Sequence, residues 1–202
     1  MRAKVGIAVC VAILMLAATV LAQDKAKPPK PKRETFSALA YLPTGAGIRM
    51  AGAGSTANVT INLERYSSEE EAADLRQTLM SQGSDAVLKK LQKMKSKGKI
   101  SMVGRVGLYD FKFVRSFPTP TGRRIIAVAD RPIGFLEAYY SNRSMDYTFG
   151  ILQLDLKMNE KEKEEGEGAL IFAAKVKVID PKNVEIENYG IDPVKLMGVR
   201  KF

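Results

Sequence analysis

The chain has no histidine, no tryptophan and a single cysteine, Cys10. Without imidazole no Ser-His-Asp triad can form, and no cysteine nucleophile exists after residue 10. Zinc, copper, haem and iron–sulfur centres lose their usual ligands for the same reason. Carboxylate chemistry, a Ser–Lys pair or oxygen-ligated calcium or magnesium are what remain. The expectation leans away from an enzyme: no catalytic residue is assigned, no cofactor and no metal site. Anionic side chains are also in deficit, with 32 lysines and arginines against 22 aspartates and glutamates, a formal charge of +10. That balance serves solubility and favours anionic partners such as phospholipid head groups or acidic polysaccharides.

What is present begins with a targeting pattern. Arg2 and Lys4 precede a continuous apolar stretch from Val5 to Val20, and Val20-Leu21-Ala22 offers a cleavage site before Gln23. Residues 1–22 therefore read as a secretory signal peptide, with membrane attachment only if it is retained uncleaved. Cys10 lies inside the apolar run behind Val9 and is not a lipoprotein acceptor. If the signal is cleaved, 180 residues with a charge of +8 and no thiol are left, one domain held by its core alone. Residues 23–33 (QDKAKPPKPKR) form a proline- and lysine-rich linker.

A single domain is expected over residues 34–202. Its spine is Thr148 to Val199, where Leu152, Leu154 and Leu156 alternate with Gln153 and Asp155. Leu170, Phe172, Ala174 and Val176 then alternate with Ile171, Ala173 and Lys175, and Val184 and Ile186 with Glu185 and Glu187. Period two marks strands with one apolar and one polar face. Thr35–Leu42, Ala57–Tyr66, Ile100–Val106, Leu108–Ser116 and the run through Ile125 and Val128 read the same way. Turns are expected at 117–122, from its prolines and glycine, and at 159–168, from its glutamates and glycines. Near 68–96 the period changes. Ser68 with Glu71 forms a capping-box pattern, Ala72, Leu75 and Leu79 share a helical face, and Gly83 ends it. A second stripe, Val87, Leu88, Leu91 and Met94, follows, so a helical hairpin should cover the sheet. The fold class is α+β and β-rich: an antiparallel sheet or sandwich of about seven or eight strands with that hairpin packed on it.

Two candidate sites emerge. The irregular segment from Asp130 to Tyr147 gathers Arg131, Glu137, Tyr139, Tyr140, Arg143, Asp146 and Tyr147, with tyrosines to pack on a ligand and arginines to hold an anion. Glu137 and Asp146 could do acid–base work if close in space, and salt bridges pinning a long loop are the bland alternative. The second is the basic outer face of the hairpin, Lys89, Lys90, Lys93 and Lys97, which could meet an anionic surface or simply be solvated. No aromatics are interleaved there for base stacking, so nucleic acid is not expected.

Asp130-Arg131-Pro132-Ile133, Ser144-Met145-Asp146-Tyr147 and Glu187-Asn188-Tyr189-Gly190 with Pro193-Val194 give the chain a resemblance. It resembles a family of small, uncharacterised secreted proteins of environmental bacteria, over most of residues 34–202. The resemblance implies export and a single domain, and carries no activity. The sequence thus favours a secreted or periplasmic binding module for an anionic or amphiphilic envelope ligand. A protein-interaction or scaffold domain is the alternative, and a carboxylate-based hydrolase a remote one.

Overall fold

The computed structural model describes residues 33–41, 56–102, 107–133, 147–180, 183–188 and 193–202. The expected signal segment and all of the linker except Arg33 lie outside them. The strands are β1 (Glu34–Tyr41), β2 (Thr56–Leu63), β3 (Gly98–Met102), β4 (Leu108–Thr119), β5 (Gly122–Ala129), β6 (Phe149–Met158), β7 (Glu164–Asp180), β8 (Asn183–Asn188) and β9 (Val194–Lys201). Helices α1 (Glu69–Gln82) and α2 (Ser84–Lys93) lie between β2 and β3.

Every strand pairing is antiparallel, in the order β6-β5-β4-β3-β2-β1-β9-β7-β8, and β6 also pairs with β7. The sheet therefore closes into an eight-stranded barrel, which agrees with the expected β-rich antiparallel fold and adds a closure that a sheet or sandwich did not specify. Alternation alone cannot separate these outcomes, because each asks a strand for one apolar face. The length of β7 makes closure possible. Glu164–Ala174 pairs with β6 on one side while Glu165–Leu170 pairs with β9 on the other. Its far half, from Ala174, pairs with β8, which stands outside the ring.

Inward-facing residues fill the barrel: Phe36, Val59, Ile61, Ile100, Phe111, Ile125, Leu152, Leu154, Leu170 and Leu196 are all buried. Thr60 and Asn62 of β2 point the other way, so the wall is apolar inside and polar outside there, the reverse of a lipid-facing barrel. Among the described residues no helix is long and apolar enough to cross a membrane.

A second apolar cluster lies outside the barrel, under the helices. Leu75 of α1 and Val87, Leu88 and Leu91 of α2 meet Phe113, Ile126, Val128, Phe149, Ile151, Ile171 and Val176 of β4 to β7. Phe113 gets there through a bulge. The β4–β5 register slips between Phe111 and Phe113, so Phe111 stays inside while Phe113 turns outward. α1 starts as its sequence indicates: the Ser68 hydroxyl accepts from Glu71 N at 3.2 Å, and Ser68 N donates to the Glu71 carboxylate at 2.9 Å. Gly83 joins the helices at φ +81° and ψ −176°, a conformation open essentially to glycine alone rather than the left-handed cap expected.

Two expected turns are shorter than the sequence suggests. β4 continues through Pro118 to Thr119, leaving only Pro120 and Thr121 to turn. Pro118 is tolerated because β3 pairs only with Leu108–Phe111, so the outer half of β4 has no ladder on that side. Likewise the acidic run turns only over Asn159–Lys163, where Asn159 Oδ1 accepts from the backbone of Lys161 and Lys163. Glu164 to Gly168 already belong to β7.

Candidate functional site: an apolar cleft beneath the helical hairpin

Helix α1 does not close fully on the barrel wall. Between them lies a cleft of about 310 Å³. Ala72, Leu75 and Leu79 of α1 and Val87 and Leu91 of α2 form one side. Phe113 and Phe117 of β4, Ile126 and Val128 of β5, Phe149 and Ile151 of β6, Val176 of β7 and Ile186 of β8 form the other. Phe117 and Ile186 are 43% and 49% exposed, so the mouth is apolar as well. The volume sits at the small end of the range for ligand pockets. Three charged residues complete the lining: Glu69, Arg76 and Arg115. Arg115 Nη2 donates to Glu69 Oε2 at 2.6 Å, its Nη1 to Ser67 O at 3.5 Å, and its guanidinium lies 5.8 Å from the Phe117 ring centre. Arg76 is exposed on α1 and has no ion-pair partner among the described residues.

A charged cluster occupies one end of the barrel, where β1, β5 and β7 begin and β9 ends. Glu34 is buried. Its Oε1 accepts from Arg123 Nη2 at 3.0 Å and from Lys201 Nζ at 2.7 Å, and its Oε2 from the Tyr66 hydroxyl. Arg123 also forks onto Glu164 at 2.5 and 2.6 Å, and Lys201 reaches Glu164 at 2.8 Å. Burial raises the Glu34 and Glu164 pKa values, and the Arg123 and Lys201 bonds more than offset it, so both carboxyls titrate below their ordinary value. Burial and the Glu34 carboxylate push the Tyr66 phenol upward. Charges balance two against two, no carboxyl is held protonated as an acid, and no tyrosinate is favoured. The cluster ties β1, β5, β7 and β9 together at this end of the barrel through charge-assisted hydrogen bonds.

Of the residues singled out in the Asp130 to Tyr147 segment, Glu137, Tyr139, Tyr140, Arg143 and Asp146 lie outside the described residues. Arg131 follows β5, where Nη2 donates to Leu108 O at 3.1 Å and the guanidinium lies 5.4 Å from the Tyr109 ring centre. Tyr147, before β6, donates to Glu187, which also pairs with Lys177. Neither lines the cleft. On the hairpin, Lys89 and Lys93 are exposed, whereas Lys90 pairs with Asp74 of α1 at 2.6 Å. Lys97 does not belong to that face. It is 3% exposed, and its ammonium sits 2.8 Å from both oxygens of Glu71. Burial raises the Glu71 pKa, and Lys97 and the Ser68 backbone amide bring it below its ordinary value. Among the described residues no group of three or more carboxylate or cysteine side chains is placed to hold a metal ion.

The cleft was not foreseen from sequence, though a signal for it exists. Ile125, Ile126, Ala127 and Val128 do not alternate, and neither do Ile151 and Leu152. Strands apolar on both faces need a cover on the second one. The α1 stripe of Ala72, Leu75 and Leu79 is thin for that duty, and a cleft results. Compared with protein-family models, with curated proteins and with solved structures, the chain matches none.

Proposed function

We propose that the protein is an exported, non-enzymatic binding module of the cell envelope that holds an apolar or amphiphilic ligand in the cleft beneath α1. The observation that carries this reading is an apolar cavity of about 310 Å³ with Phe117 and Ile186 exposed at its mouth. A void lined by such side chains forfeits both their contacts and their removal from water, and an apolar guest restores both. Binding inside the barrel is not part of the proposal, because Phe36, Phe111, Leu152 and their neighbours already occupy it. The signal pattern of Met1–Ala22 supports export to the periplasm or beyond. Native mass spectrometry of the protein taken from the producing cell's envelope tests the proposal. A reproducible extra mass that leaves on denaturation is expected; a bare chain that also takes up no added amphiphile overturns it.

One observation favours a scaffold role instead. Among the described residues β8 pairs only with β7, and Ile186 is exposed on it. An edge strand of this kind can accept a strand from another protein. Cross-linking that captures one envelope protein, and loses it when Ile186 is changed to lysine, supports this second reading.

A further inference from the structure

We infer that the ligand of this cleft is a soluble single-chain amphiphile of the fatty-acid type, whose anionic head takes the place of the Glu69 carboxylate on Arg115. The inference rests on the cleft being a binding site and goes on to name what it binds. The tail follows from the lining. Among the described residues, Glu69, Arg76 and Arg115 are its only polar lining, with no hydroxyl or amide side chain to satisfy a sugar or a peptide backbone. Burying such polar groups unpaired is costly, whereas a methylene chain asks for nothing. The volume of about 310 Å³ holds about ten groups the size of a water molecule or a methylene.

The head follows from the charges. Among the described residues two cations and one anion line the cleft, leaving one positive charge in excess. Arg115 has contacts that do not depend on Glu69: Nη1 reaches Ser67 O at 3.5 Å and the guanidinium lies 5.8 Å from the Phe117 ring centre. Glu69, by contrast, has a side chain 71% exposed, and among the described residues its carboxylate pairs with Arg115 alone. An ion pair so open to water contributes little, and a carboxylate arriving with a buried tail replaces it at small cost. Arg76 lies seven residues along α1 in the same lining and supplies the second positive charge. A guanidinium suits a carboxylate, and the charge-assisted bond that Arg115 Nη2 makes to Glu69 Oε2 would be made to the ligand's head instead.

Isothermal titration of the purified protein with decanoate, decanol and decyltrimethylammonium tests this. Decanoate should bind one to one and tighter than decanol, and the cation weakest. Arg115→Ala should weaken decanoate about tenfold or more while leaving decanol unchanged, as loss of a charge-assisted bond does. Arg76→Ala, which removes a charge on an exposed residue of α1, should weaken decanoate a few-fold and serves if Arg115→Ala fails to fold. Glu69→Gln should strengthen decanoate binding by freeing Arg115. If decanol binds as tightly as decanoate and neither arginine variant changes that, the head-group assignment is wrong and the cleft still binds. If none of the three probes binds, the cleft reading falls with it. Ala72→Trp, which fills the cleft from α1, should abolish uptake; undiminished uptake in that folded variant would place binding elsewhere.

Discussion

Arg123 uses all three guanidinium nitrogens at the end of the barrel, on Glu164, Glu34 and Tyr66. Its side chain is 21% exposed and that of Glu34 only 6%. Arg123→Met would leave the two carboxylates of the cluster with Lys201 as its one cation, and removing one partner of a buried pair costs about 3–5 kcal/mol. Lys201 and partial exposure place the expected loss near the lower end, about 3 kcal/mol, read from urea denaturation midpoints. A loss under about 1 kcal/mol would mean the cluster is no more than a surface ion pair. Lys97 presents the same problem on a smaller scale. Its ammonium is buried while its partner Glu71 is 39% exposed. Lys97→Met removes the buried charge and frees Glu71 to hydrate, so it should cost less than Arg123→Met. Greater destabilisation from Lys97→Met would contradict that ordering. Nothing in the sequence distinguishes Lys97 from Lys93 or Lys95, because burial of a lysine depends on which carboxylate the fold brings to it.

The helical hairpin shows what local sequence can and cannot specify. Ser68 and Glu71 announce the start of α1 in four residues, and both hydrogen bonds of the capping box are present. Ser68→Ala should cost about 1 kcal/mol and speed amide exchange in the first turn of α1, with exchange in β5 and β6 unchanged. Unchanged exchange at Glu70–Ala72 would show that packing, not the cap, fixes that end. Phe113 was hidden for a different reason. Its inside-or-outside sense depends on the bulge at Lys112, which the alternating pattern of β4 does not encode. Gly166 and Gly168 read as turn residues because glycine is commonest there. Here they are strand residues at close approaches: a Cβ on Gly166 would lie 1.9 Å from Asp155 O, and one on Gly168 2.6 Å from Gln153 O. β7 must hug β6 at those points while β9 pairs on its other edge. Gly166→Ala should therefore push β6 and β7 apart and destabilise the fold by about 1–3 kcal/mol, the range for overpacking. Thermal melting would register it, and a melting temperature equal to wild type would show that the strands can separate freely there.

For the whole molecule, strand identity was largely readable and closure was not. Period-two patterning places most strands and their apolar faces, and the acidic turn between β6 and β7 marks their hairpin, but neither gives the β9–β1 pairings that close the ring. Those pairings join residues far apart in sequence, such as Phe36 with Lys201 and Ser37 with Arg200. The charged cluster sits where that closure is sealed, since Glu34, Arg123, Glu164 and Lys201 come from β1, β5, β7 and β9. Closure thereby becomes sensitive to pH in a definite direction. Glu34 and Glu164 have folded-state pKa values below their unfolded ones, so the stability they contribute is present above about pH 4.3 and lost as pH falls through the folded values. Burial lowers the Lys201 pKa, and Glu164 and Glu34 raise it by more. Its contribution is therefore complete below about pH 10.4 and lost only as pH rises through the folded value. Urea midpoints measured from about pH 7 down to about pH 3 should fall on acidification. Arg123→Met should flatten that fall as well as lower the whole curve, because carboxyls without Arg123 no longer differ as much between the folded and unfolded chain. A variant curve parallel to wild type would mean that other carboxylates, such as Asp155 on Arg124 or Glu71 on Lys97, set the acid limit, and that the barrel end is held by packing around Phe36 and Leu156 instead of by its charges.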